Sequence, residues 1–275
     1  MRLLALVMTT TLALPALAAA QTLPALPTLN ESAAERTVRR ASMTPPVLQE
    51  DTALQAAIGS DTRSAADVAR DVHRRPFESL TFWGLTPGST IVEIQPGRAG
   101  WWTAILQPYA EATNGRYVPV NQPLESMGVE DGTADMVLVA RAFHNWHRAG
   151  RTDDFLAAFF KALKPGGVLA IEQHRSVDGL NPDETAPTGY MPESHIIRVA
   201  QAAGFVLDAR SELNANPKDD RDHPYGVWTL PPVRLSAPRE NNANDRPTPL
   251  TDAERAEFDA IGESDRMTLR FRKPE

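Results

Sequence analysis

The stretch Val92–Thr103, VEIQPGRAGWWT, decides the fold. Thr90 to Ile94 is a short apolar, β-branched run, which predicts a buried strand. Pro96 and Gly97 end it and Gly100 permits a tight turn. Trp101 to Ala112 then carries Trp101, Ile105, Leu106 and Tyr109 on one helical face. Strand, glycine turn and helix in that order can hold a nucleotide-type cofactor against the helix N-terminus. Two positions where such a loop takes glycine carry Gln95 and Ala99 instead. A Cβ there hinders close approach of a ligand, and a positive φ is costly for any residue but glycine. The G-x-G-x-x-G dinucleotide pattern is missing, which argues against a nicotinamide dehydrogenase.

Outward from this stretch the chain alternates strand and helix. Arg116 to Val120 reads as a second strand, and Asp135 to Ala140 (DMVLVA) as a third, apolar enough to be buried on both faces. Asp153 to Leu163 is an amphipathic helix, stopped by Pro165-Gly166-Gly167 before the strand Val168 to Glu172. Glu193 to Ala203 is helix with Gly204 as its cap. Phe205 to Leu213 and Met267 to Arg272 complete the strands, and two short helices are expected between Asp51 and Leu85. The pattern implies an α/β sheet, mostly parallel, with right-handed crossovers.

The N-terminus reads as an address. Arg2, an apolar run from Leu3 to Leu17 and small residues at Ala18 to Ala20 form a secretory signal peptide over residues 1–20. Cleavage near Ala18 to Ala20 would leave a periplasmic or secreted protein without a membrane span. Residues 21–48, rich in Pro, Ala and Thr, read as a flexible leader, and 49–275 as the folded domain. Removing Arg2 leaves 27 basic against 35 acidic residues, or −8. Without basic runs, that balance argues against nucleic acid or an anionic membrane as the main partner. The absence of cysteine excludes disulfides and thiolate chemistry.

Glu93-Ile94-x-Pro-Gly with Gly-Trp-x-Thr, Leu163-Lys164-Pro165-Gly166-Gly167-Val168-Leu169 and Ala203-Gly204-Phe205 resemble the class I S-adenosylmethionine-dependent methyltransferases. The chain is similar in particular to an exported bacterial branch of predicted methyltransferases. The strings Asn214-Ala215-Asn216-Pro217-Lys218-Asp219 and Gly226-Val227-Trp228-Thr229-Leu230-Pro231-Pro232 carry that closer likeness. The resemblance implies a Rossmann-like sheet with an antiparallel C-terminal strand. It also implies S-adenosylmethionine as cofactor and methyl transfer to an unknown small acceptor in the cell envelope. The family has a further helix and strand between its second and fourth strands. Asn121 to Thr133 is only 13 residues, too short for both. The sheet is therefore expected to be shortened there.

In open α/β sheets ligands bind beyond the carboxyl ends of the strands. The resemblance then implies that Glu93, Gln95, Gly97, Gly100 and Asn121 hold the cofactor, with Asn121 where an acidic residue would meet the ribose. His144, Glu172 and His174 are candidates for base chemistry, since imidazole titrates near neutral pH and a carboxylate can orient it. Asn145, Trp146, Arg175, Asn214 and Asn216 are candidates for substrate contact, or alternatively for holding down the insertion at 214–266, which is expected to cap the cleft. His144, His147, Glu172 and His174 are ligand types for a metal, but a histidine pair three residues apart is a weak signal, and no metal is expected. The alternative reading is a non-catalytic periplasmic binding protein that keeps a degenerate form of the fold.

Overall fold

The computed structural model describes residues 50–275, so the signal peptide and leader expected over 1–48 lie outside the described residues. Four short helices come first: α1 (Thr52–Ile58), α2 (Ala65–Val68), α3 (Asp71–Arg74) and α4 (Pro76–Trp83). They are followed by β1 (Thr90–Ile94), α5 (Thr103–Ala112), β2 (Arg116–Val120), β3 (Ala134–Ala140), α6 (Phe143–Arg148), α7 (Thr152–Ala162) and β4 (Leu163–Ser176). The remainder is α8 (Pro182–Thr185), β5 (Met191–Pro192), α9 (Glu193–Ala202), β6 (Val206–Ser211), β7 (Pro224–Val227), α10 (Asp252–Ile261) and β8 (Arg266–Arg272). The strand order is β2-β1-β3-β4-β8-β6, with β5 pairing β4. Every neighbour pair is parallel except those of β8, which runs antiparallel to both β4 and β6. This is the expected Rossmann-like arrangement, a mostly parallel sheet with an antiparallel C-terminal strand.

The shortening has a definite address. β2 pairs β1 in parallel register from Thr90↔Arg116 to Ile94↔Val120 and forms the end of the strand order. Residues 121–133 contain only turns and bends. Arg116 to Val120 is therefore the strand beside β1, and among the described residues no strand pairs with its outer side, as the length of 121–133 leads one to expect.

Side chains along the central strands alternate between two apolar layers, as the period of two requires. Val92, Ile94, Val137, Val139, Leu169 and Ile171 join one cluster with Phe155, Phe159 and Ile196. Ile91, Met136, Leu138, Val168 and Ala170 join the other with Trp83, Trp102, Leu106 and Tyr109. Fully burying a large apolar side chain contributes about 1.5–3 kcal/mol, so these two layers dominate the stability. The same alternation turns Glu93 and Glu172 toward the second layer, where α1 and α4 pack.

Two local readings change. β4 begins at Leu163 and runs through Pro165-Gly166-Gly167, with its pairing to β3 shifted between Ala134 and Met136. Gly166 at φ 72° absorbs that irregularity. The segment after β3, to which the sequence assigned no element, is a helix, α6. Arg141 in the left-handed region turns the chain, and Phe143 and Trp146, three apart, bury one helical face.

Candidate functional site at the carboxyl edge

The turn after β1 keeps its shape without two of its glycines. Gln95 takes the left-handed conformation itself, at φ 51°, with its N–H donating to Val120 O at 2.7 Å. Its side-chain Oε1 accepts from Trp146 Nε1 at 2.9 Å, which ties the turn to α6. Gly97 and Gly100 have φ of 71° and 53°. A Cβ built on Gly97 would meet no atom within 4 Å, so this part of the turn is open to an approaching molecule. Glu93 lies under the turn, and its Oε2 accepts from Tyr117 Oη at 2.6 Å and from Thr103 Oγ1 at 3.2 Å. Burial raises its pKa to about 7 against those two hydrogen bonds. Glu93 thus joins β1, β2 and α5. Asn121 is exposed at the end of β2.

Across β3, β4 and β8 the edge is built of charge. Glu263 accepts from Arg70 Nε at 2.9 Å, from Arg74 Nε at 3.0 Å and from Arg266 Nη1 at 2.8 Å. Glu172 is fully buried and pairs with Arg266 at 2.9 Å and with Arg141 at 3.2 Å. Burial alone would raise both carboxyls. The guanidiniums, Arg266 foremost, overcome it, lowering Glu172 and holding Glu263 at about 2. Burial and the nearby Arg141 bring Arg74 down to about 9, which leaves it charged at neutral pH.

Two cavities open among these residues. The larger, of about 300 Å³, has Arg70, Arg74, Arg141, His144 and His174 on its walls and Trp228 in its roof. The smaller, of about 50 Å³, lies between Gln95, Trp102 and the same three arginines. His144 Nδ1 is 3.3 Å from Gln173 Nε2, and His174 Nδ1 is 2.6 Å from Ser264 Oγ. The two rings are 6.2 Å apart. Burial depresses His144 to about 4. Burial, and then the proximity of His144 and Arg141, holds His174 well below the ordinary imidazole range. Both are neutral at pH 7 and can accept a proton.

The residues singled out in the sequence separate on this geometry. His144, Asn145 and His174 line the larger cavity, and Glu93 and Gln95 line the smaller one. Glu172 stands behind Arg141 and steers it. Trp146 lies in the core, 2% exposed and stacked on Phe155 at 4.5 Å, because its helical face turns inward. Arg175 is consumed by ion pairs with Glu212, Asp265 and Glu193. Asn214 donates to Ser79 and Thr268, and Asn216 to the carbonyls of Ile261 and Glu263. Arg175 and Asn214 thus fasten segment 214–266 to the sheet, and Asn216 ties the two ends of that segment to each other. His144 and His147 share α6 but turn apart, since His147 pairs with Asp183 at 2.8 Å.

Arg70, Arg74, Arg141, Glu263, Ser264 and Trp228 escaped the sequence reading. Arg141 was legible in principle, as a charge at the end of an otherwise apolar strand. Arg70 and Arg74 sit in short helices ahead of the sheet, where no strand-end rule applies.

Residues 105–171 match the methyltransferase domain family. The matched segment runs from α5 to β4 and includes β2, β3 and α6. No curated protein sequence matches the chain. Among solved structures, a SAM-dependent methyltransferase from Aquifex aeolicus is 18% identical, with 52% of this chain and 86% of that one covered, at a TM-score of 0.39. The N-methyltransferase NodS from Bradyrhizobium japonicum, in complex with S-adenosyl-L-homocysteine, is 13% identical over 82% and 98% of the two chains, at 0.40. The 1,6-didemethyltoxoflavin-N1-methyltransferase from Burkholderia thailandensis, with its substrate and S-adenosylhomocysteine bound, is 12% identical over 82% and 85%, at 0.40.

Proposed function

We propose that this protein is an S-adenosylmethionine-dependent methyltransferase acting on a small molecule, exported to the cell envelope by its N-terminal segment. The observation that carries the reading is the larger cavity: two neutral imidazoles line it at the carboxyl edge, in a chain whose residues 105–171, including His144, match the methyltransferase domain family. The turn fits the cofactor on its outer side, where no atom lies near a Cβ position at Gly97. Gly97 and Gly100 would hold its amino-acid portion and Asn121 its ribose hydroxyls. Glu93 would support the turn from below. When bound, the cofactor supplies an activated methyl group on its sulfonium, so the protein's task is alignment and proton removal.

His174 suits that task. His174 lines the cavity, and in the tautomer whose Nδ1–H donates to Ser264 Oγ the other ring nitrogen is free to take an acceptor's proton. His144, held by Gln173, is the second imidazole in reach. Trp228 and the chain from Leu230 to Val233 close the roof and keep water from competing with the acceptor.

One observation favours a second reading, a binding protein without turnover. Gln95 occupies the turn and is tied to Trp146, and the space enclosed behind it is only about 50 Å³. Ligand pockets are ordinarily about 300–1,000 Å³. Transfer of labelled methyl from S-adenosylmethionine to components of a metabolite extract separates the two. Methyl transfer is predicted to reach an extract component with wild type and to fall at least a hundredfold in His174→Gln at an unchanged melting temperature. Incorporation no greater than without protein would leave the binding reading.

A further inference from the structure

We propose that the larger cavity receives an acceptor carrying a compact oxyanion, a carboxylate or a phosphate, held by Arg74 and Arg141. The inference rests on the methyl-transfer reading for the word acceptor, and on the charge of the site for the rest.

Arg74 is 2% exposed, and its Nη1 has no hydrogen-bond partner. Its Nε is committed to Glu263, and its guanidinium lies 4.7 Å over the ring of Trp101. The free donor belongs to a side chain that lines the cavity. A buried, unsatisfied donor on a charged group costs about 1–3 kcal/mol or more, a cost that a bound oxyanion removes.

The ionic accounts of the cluster point the same way. Arg70 is answered at the rim by Asp67, at 3.6 Å, as well as by Glu263. Arg74, Arg141 and Arg266 then share two buried carboxylates, Glu172 and Glu263. Glu93 bonds Tyr117 and Thr103, not an arginine, and with its pKa near 7 it is only partly ionised at neutral pH. Of the remaining groups on the cavity, Ser264 and Asn145 are neutral, and His144 and His174 are uncharged. One guanidinium is therefore in surplus. Surplus buried charge is expensive unless a counter-ion completes it.

Arg141 adds a second sign of purpose. It stands at φ 60°, outside the favoured region for a side-chain-bearing residue, with its N–H donating to Glu172 O at 2.7 Å. Such conformations cost on the order of 1–3 kcal/mol and persist where the surroundings require them. Here the turn places a planar five-donor fork on the wall of a cavity with an apolar roof, the geometry suited to a two-oxygen anion. A volume of about 300 Å³ limits the guest to a small molecule.

The same arginines also border the small cavity behind the β1 turn, so the carboxylate of the cofactor itself is a competing occupant. Calorimetric titration with inorganic phosphate and with malonate, at constant ionic strength, tests the site directly. Saturable binding is expected in wild type and at least tenfold weaker in Arg141→Met. Val233→Asp puts a negative charge at the mouth, on a side chain 57% exposed, and should weaken binding several-fold without touching the packing. Saturating S-adenosylhomocysteine should leave anion affinity unchanged. Displacement of phosphate by S-adenosylhomocysteine would assign the arginines to the cofactor's carboxylate and overturn the proposal, as would absence of anion binding. Anion binding by a protein that takes no S-adenosylhomocysteine would keep the anion site and remove the methyl-transfer reading.

Discussion

The two halves of the carboxyl edge are built on opposite plans. Over β1 and β2 the edge is short and open: an exposed Asn121, an open Gly97, and no strand or helix between 121 and 133. Over β3, β4 and β8 it is deep and charged, with Glu172 and Glu263 tying four arginines under the roof from Val227 to Val233. The first half ends at β2 with a stretch of turns and bends, while the second carries a segment of more than fifty residues, 214–266, that Asn214 ties to Thr268 of β8 and Asp265 to Arg175 of β4.

The strongest way to break this comparison is Glu263→Gln. It removes the carboxylate shared by Arg70, Arg74 and Arg266 and leaves their charge uncompensated, a loss of about 3–5 kcal/mol in chemical denaturation. A loss below 1 kcal/mol would mean that the charged half is solvated and not a buried cluster. Next in size is a contrast within α6. Trp146→Ala should cost about 3–5 kcal/mol as a core truncation, whereas the exposed Asn145→Ala should stay within about 0.5 kcal/mol. Equal effects would contradict the inward placement of Trp146.

A smaller and pH-dependent effect belongs to Glu93. Its folded pKa, about 7, lies above the ordinary carboxyl value of 4.5, so the folded state holds the proton more tightly. Its ionisation penalty is absent below about pH 4.5, grows as pH rises and is complete above about 7. The stability of Glu93→Gln relative to wild type should therefore climb across that window, by on the order of 2–3 kcal/mol. A flat difference between pH 4.5 and 8 would show Glu93 to be solvated. The mildest substitution is Asn121→Asp. It should leave stability within about 0.5 kcal/mol and tighten S-adenosylhomocysteine binding about tenfold, because a carboxylate offers paired acceptors to a diol.

Much of this architecture was legible in the chain. The run TIVEI, the DMVLVA strand and the length of 121–133 led to the sheet and to the strand it lacks, because burial on both faces leaves a continuous apolar signature. The strand-end rule found His144 and His174 because it needs only the position of each strand. It also picked out Arg175, Asn214 and Asn216, for which holding down the insertion was the favoured account, since a polar residue at a strand end can meet a ligand or a neighbouring loop. Arg70 and Arg74 were not legible. They reach the cavity through ion pairs with Glu263, almost two hundred residues further along the chain, and no spacing in the sequence records that approach. Trp146 misled for a related reason: whether an aromatic beside two histidines faces inward depends on the helix that only the left-handed turn at Arg141 creates.

The central claim, that this edge binds the methyl donor, is tested most directly by calorimetric titration of the protein with S-adenosylhomocysteine, beside the variant Gly97→Val. The wild type is predicted to bind saturably, with the heat lost in the variant, whose side chain would project into the open turn, and with folding retained. No heat at millimolar concentration, or binding indifferent to Gly97→Val, would contradict it.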